Sequence, residues 1–252
     1  MMDAKLRDGF VEKWEKYFGG TALPITFWYT NDDWMRQYIR AIKGQVCMVA
    51  QLLLAQRGET LAYDAESVGC AGGKRYMGFT RELRPGFEYF LSCGIPGKME
   101  GERYKKSPEI VLEALERQHD FTAPGKYIVF KRWDTLAEAD EPEVVIFFAR
   151  PDVLSGLFTL SGFDEADSNA VIAPFGAGCG TIIQYPYLEK SSPRPRSVVG
   201  MFDVSARPCV EPDVLSFATP ISKFRRMIDN MDESFLITQS WQKVRRRIAS
   251  KA

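Results

Sequence analysis

"EVVIFFARPDVLSGLF", residues Glu143 to Phe158, joins two kinds of structure in one short run. Residues 143–149 read as a strand, Arg150-Pro151 breaks it, and a helix follows from Asp152. The Asp152 carboxylate suits a helix start, where backbone N–H groups lack partners. Upstream, across the acidic "DTLAEADEPE", "KYIVFKRW" is a second strand. Downstream come "NAVIAPF", the glycine loop "GAGCG", then "TIIQYPYLEK", "SVVGMFDVSARP" and "DVLSFATP". Strand and helix therefore alternate after residue 140, which predicts a sheet with some parallel pairing.

The first half is less regular. Residues 3–18 place Leu6, Phe10, Val11, Trp14, Tyr17 and Phe18 at helical spacing, ended by Gly19-Gly20. "LPITFWYT" reads as a strand, with Phe27, Trp28, Tyr29 and Trp34 as core packing. "GQVCMVAQLLLAQRG" reads as a buried helix with Cys47 on its first turn. "TLAYDA" is a short strand leading into the loop of Cys70. "PEIVLEALERQ" is an amphipathic helix with proline in its first turn. The segment 94–107 reads as a mobile charged excursion, and "ESFLITQSWQKVRRRIAS" as a C-terminal helix over 233–249. The expected architecture is α+β: a single compact domain over 1–252, with its core at about 20–230. Strands at 23–30, 127–133, 143–149, 169–174, 197–203 and 213–218 should form one mixed β-sheet flanked by helices.

Lys plus Arg and Asp plus Glu are each 33, so no net field favours nucleic acid or an anionic membrane. No apolar run approaches the roughly 20 residues of a membrane span. The N-terminal run mixes acids and bases on an amphipathic pattern, unlike a signal peptide, so a cytoplasmic protein is expected. A cytoplasmic chain keeps its five cysteines reduced, and their odd number leaves one unpaired in any case. The single histidine, His119, excludes a histidine-rich metal site and reads as a helix-end or surface residue. With 13% aromatic residues and no charge excess, a homodimer is expected.

The order "PITFWYTND", a helix bearing Cys47, "GCAGGKRYMGF", "EVVIFFARPDVLSGLF", "APFGAGCGTI" and "SARPCVEPDVLSFATP" resembles the DUF169 family, a prokaryotic group without an established function. The resemblance spans roughly residues 20–230 and implies that Cys47, Cys70, Cys179 and Cys209 form a set, with Cys93 outside it.

The residues themselves suggest what such a set would do. Cys70 lies in "GCAGGKR" and Cys179 in "GAGCG", where glycine lets backbone come close to sulfur. Cys47 near a helix start, Cys70 beside Lys74 and Arg75, and Cys209 near Arg207 occupy places that favour thiolate, the form that ligates metal. An iron–sulfur cluster or a single metal ion on Cys47, Cys70, Cys179 and Cys209 is one expectation, with a redox partner or small molecule as its counterpart. The other needs no metal. There the loops of Gly72, Gly73, Lys74 and Arg75, and of Gly176, Gly178 and Gly180, bind a small anion through N–H groups and cations. Each glycine loop is equally explained as a tight turn.

Overall fold

The structure, a computed structural model, describes residues 1–40, 46–118 and 121–250. In chain order its elements are α1 (Ala4–Phe18), β1 (Ile25–Thr30), α2 (Met48–Gln56), β2 (Leu61–Tyr63), α3 (Ala71–Tyr76), α4 (Phe87–Phe90) and α5 (Pro108–Glu116). They continue with β3 (Tyr127–Arg132), β4 (Val144–Ala149), α6 (Pro151–Ser161) and β5 (Val171–Ile172). A π-helical turn (Gly180–Gln184) then runs into α7 (Tyr185–Glu189), followed by β6 (Ser197–Gly200), β7 (Leu215–Pro220), α8 (Ile221–Asn230) and α9 (Gln239–Ala249).

The strands form one mixed sheet in the order β2-β3-β1-β4-β7-β6-β5. Successive side chains of a strand point to opposite faces, and here both faces are apolar. Val145 and Phe147 of β4, Tyr127 and Val129 of β3 and Trp28 of β1 enter one core. Val144 and Ile146, Ile128 and Phe130, and Ile25 and Phe27 enter the other. Helices α1, α6, α8 and α9 cover the first face. Helix α2 and the π turn cover the second, with Val68 and Met77 from either side of α3. The chain is thus a single α+β domain. No helix among the described residues is long and apolar enough to cross a membrane.

The expected parallel pairing is present between β5 and β6, and the other ladders among the described residues are antiparallel. Other sequence expectations need correction. The expected strand at 169–174 is only Val171–Ile172. The C-terminal run is a short 3-10 turn (Phe235–Ile237) and then α9, because the Thr238 hydroxyl caps a fresh start by accepting from the Trp241 N–H. Trp34 lies in a 3-10 turn (Asp33–Tyr38), 68% exposed, and is no core residue. The 94–107 excursion is tied down: Glu102 N–H donates to Phe90 O, Arg103 N–H to Ser92 O and Lys105 N–H to Leu91 O. His119 lies outside the described residues.

Candidate functional site

The second face carries the cysteines. Cys47 is the N-cap of α2, one residue ahead of the first turn where the sequence placed it. Cys70 is the N-cap of α3, and its Sγ accepts the Gly73 N–H at 3.4 Å. The expected Cys70 loop is therefore a helix, with Gly72, Gly73, Lys74 and Arg75 inside it. Cys179 precedes the π turn at the head of the helical run into α7, and Cys209 closes a 3-10 turn (Arg207–Cys209). All four are half-buried. Cys47, Cys179 and Cys209 pack against the same apolar core. Cys93 is exposed, its thiol donating to its own neighbour Gly94 O.

Electrostatics link the four sulfurs. Burial pushes the Cys179 thiol well above its ordinary range, and the charges of Cys70, Asp203 and Cys47 push it further. Burial first, then hydrogen bonding to Cys47 and the charges of Cys47, Asp203 and Cys70, raise the Cys209 thiol to about 11. Tyr76 of α3 is pushed up to about 12, first by burial and then by Cys179. Four separate segments thus bring Cys47, Cys70, Cys179 and Cys209 into one neighbourhood. Among the described residues, no group of three or more His, Cys, Asp or Glu side chains is drawn tightly enough to hold a metal ion.

Glycine makes this neighbourhood possible. A Cβ on Gly180 would stand 2.9 Å from the Tyr76 ring, so α3 seats directly on the π turn. A Cβ on Gly73 would meet Met48 Cβ at 3.4 Å, which brings α3 against the start of α2. Gly72 faces only the Cys70 sulfur, and Gly176 the Tyr185 ring.

The sequence-adjacent cations do not serve the sulfurs. Arg75 donates to Arg81 O at 2.6 Å and reaches Gln118 Oε1 at 3.5 Å. Arg207 donates to the carbonyls of Met201, Val214, Glu211 and Pro212. Lys74 pairs with no carboxylate among the described residues. The expectation that Arg207 favours a Cys209 thiolate is reversed, since this thiol holds its proton more tightly than usual.

Sequence reasoning missed Asp203. This buried carboxylate accepts from the Gly178 N–H through Oδ2, and from Ser205 Oγ (3.0 Å) and the Ala206 N–H (2.7 Å) through Oδ1. It pins the loop that leads to Cys209 onto the helix start that carries Cys179. The pattern "FDVSA" held the signal, because an aspartate two residues before serine often folds back on its own backbone. At "GAGCG" the Gly178 N–H already serves this internal carboxylate.

A family model described as "Uncharacterised ArCR" matches residues 22–230, most of the chain, and includes all four clustered cysteines. The chain belongs to the DUF169 family. No curated protein and no solved structure matches it. In this DUF169 chain the matched region contains the whole sheet and leaves out α1 and α9, both of which cover the face that holds Trp14 and Phe147.

Proposed function

We propose that Cys47, Cys70, Cys179 and Cys209 together hold a soft metal ion or an iron–sulfur cluster, and that the protein has a redox or accessory role. One observation carries this: four cysteines from four segments lie on one side of the sheet, near enough that Cys47 and Cys70 raise the Cys179 and Cys209 thiols. The donor set fits, because thiolate sulfur is the preferred ligand of zinc, copper(I) and iron–sulfur clusters. A bound cluster would supply one-electron transfer. The chain's own contribution is to aim the sulfurs. Cys47 sits at the positive end of α2 and Cys179 at that of the helical run into α7, where a negative sulfur is favoured. Ligation would draw the sulfurs closer than they stand and release the protons that burial keeps on Cys179 and Cys209.

The test is anaerobic purification followed by metal analysis and visible spectroscopy. The expected result is bound metal, with sulfur-to-iron absorbance if the group is a cluster. Cys70→Ser and Cys179→Ser should lose the metal with the fold intact by circular dichroism, while Cys93→Ser should keep it. Folded wild-type protein that stays colourless and metal-free, even after reconstitution with iron and sulfide or with zinc, would overturn the assignment.

A further inference from the structure

At one end of the sheet, where β4 runs into α6, a cleft of about 770 Å³ opens, within the range of small-molecule sites. Its half-buried apolar lining is Leu53, Phe148, Val210 and Val214, while Trp14, Phe147, Val153 and Ile248 are buried in its walls. Three arginines and three acids complete it, and their pairing is uneven. Arg247 holds both oxygens of Asp152 through Nε and Nη2, and Arg150 holds Glu211 at 2.7 Å and Asp213 at 3.4 Å. Every acid of the lining therefore has an arginine. Arg57, exposed at the end of α2, has no carboxylate partner among the described residues. The charges of the lining balance, and Arg57 is the charged group among them that no opposite charge holds.

We infer that this cleft binds a small monocarboxylate with an apolar body, its head on Arg57 and its chain or ring against Leu53, Phe148, Val210 and Val214. A guanidinium takes a carboxylate through two parallel N–H donors, and the apolar lining supplies the remaining affinity. A cationic ligand finds no free acid here, because all three are held by Arg150 and Arg247. The cleft adjoins the cysteines through one segment. Val210, Glu211, Asp213 and Val214 line it, and Cys209 directly precedes them. A ligand seated here touches the loop that carries one sulfur of the cluster. The inference does not rest on metal ligation.

Calorimetry on metal-free protein tests it, with octanoate, phenylacetate, octanol and octylammonium as probes. At least one of the two carboxylates should bind, with octanol weaker by tenfold or more and octylammonium silent. Arg57→Ala should weaken carboxylate binding by about tenfold, Arg57→Lys should restore part of it, and Val210→Trp should block the cleft. Because Arg57 is exposed, its variants should unfold at the wild-type urea midpoint. The proposal is overturned if neither carboxylate binds, if octanol matches them, or if Arg57→Ala binds as wild type. Metal content is read separately, so failure here leaves the cysteine assignment standing, and the reverse holds too.

Discussion

The same strands build two unlike faces. On one, rings interlock: Trp14 stacks on Phe18 at 4.3 Å, Phe10 meets Phe224 at 4.9 Å, and Phe147 meets Trp14 at 5.1 Å. Large rings supply much buried area and fit together with few polar atoms to satisfy. On the other face Phe27, Phe130, Tyr29, Tyr63 and Tyr187 also meet ring to ring, but they share it with aliphatic side chains, short helices, glycines, sulfurs and the buried Asp203. Small residues bury less area per position, but they let backbones and sulfurs approach each other. The first face is built for stability and the second for proximity.

The difference is most directly broken at Phe147. Phe147→Ala should cost about 3–5 kcal/mol in urea unfolding, as a large buried ring lost to a cavity. The thiol-labelling pattern of the folded protein should not change. If that pattern changes with Phe147, the two faces are coupled more tightly than their separate cores imply. Next comes Asp203→Ala, which leaves the Gly178 and Ala206 N–H groups without their acceptor. With roughly 1–3 kcal/mol for an orphaned buried donor, a loss of about 2 kcal/mol is expected. The same substitution removes a charge that holds the Cys179 and Cys209 thiols up, so both should alkylate faster at pH 8. Unchanged rates would show that Asp203 acts on the backbone alone.

A smaller effect is expected at Asp232 on the aromatic side. Hydrogen bonds from Lys16, Tyr17 and Lys13 hold its carboxyl well below the ordinary 3.8. A depressed carboxyl adds stability above its unfolded value and loses it as pH falls through and below about 4. Asp232→Asn should therefore flatten the acid limb of stability against pH below about 4 and leave the cysteine face untouched. The smallest effect on stability, none, should accompany thiol chemistry itself. In metal-free protein near neutral pH, exposed Cys93 should react with iodoacetamide before Cys209, and Cys179 should react last. Mass spectrometry of labelled peptides gives the order, and early labelling of Cys179 would contradict its burial.

Much of the fold was legible because its strands are apolar on both sides and bounded by proline or glycine. "EVVIFFARPDVLSGLF" announces β4, the break and α6 with little room for another reading. Strand partners were less legible. Alternating strand and helix suggested parallel neighbours, yet β4 lies between β1 and β7, both antiparallel to it. Long-range order is set by which apolar faces meet, and local pattern does not encode that. At the site, glycine context correctly singled out segments where backbone comes close. Charge context misled, because adjacency along the chain is not adjacency in space. Arg75 and Arg207 turn to carbonyls of their own loops, and the charges that act on Cys179 and Cys209 are those of the neighbouring cysteines and then Asp203, all of them acids.

The π-helical turn at Gly180–Gln184 has a further consequence for the helical run that contains Cys179 and α7. Such a turn amounts to one residue more than an ordinary helix spends on the same rise. Each α-helical residue advances the azimuth by about 100°, so the extra residue resets the phase between the two ends. Cys179 points among the sulfurs, while Tyr187 stacks at 6.2 Å from the Phe27 ring and Lys190 reaches Glu143 at 2.5 Å. Deleting one residue inside the turn would restore a single phase and rotate one end by about 100° relative to the other. Either the Tyr187–Lys190 seat on Glu143 or the aim of Cys179 would then be lost. The wide turn lets one rod keep two bearings.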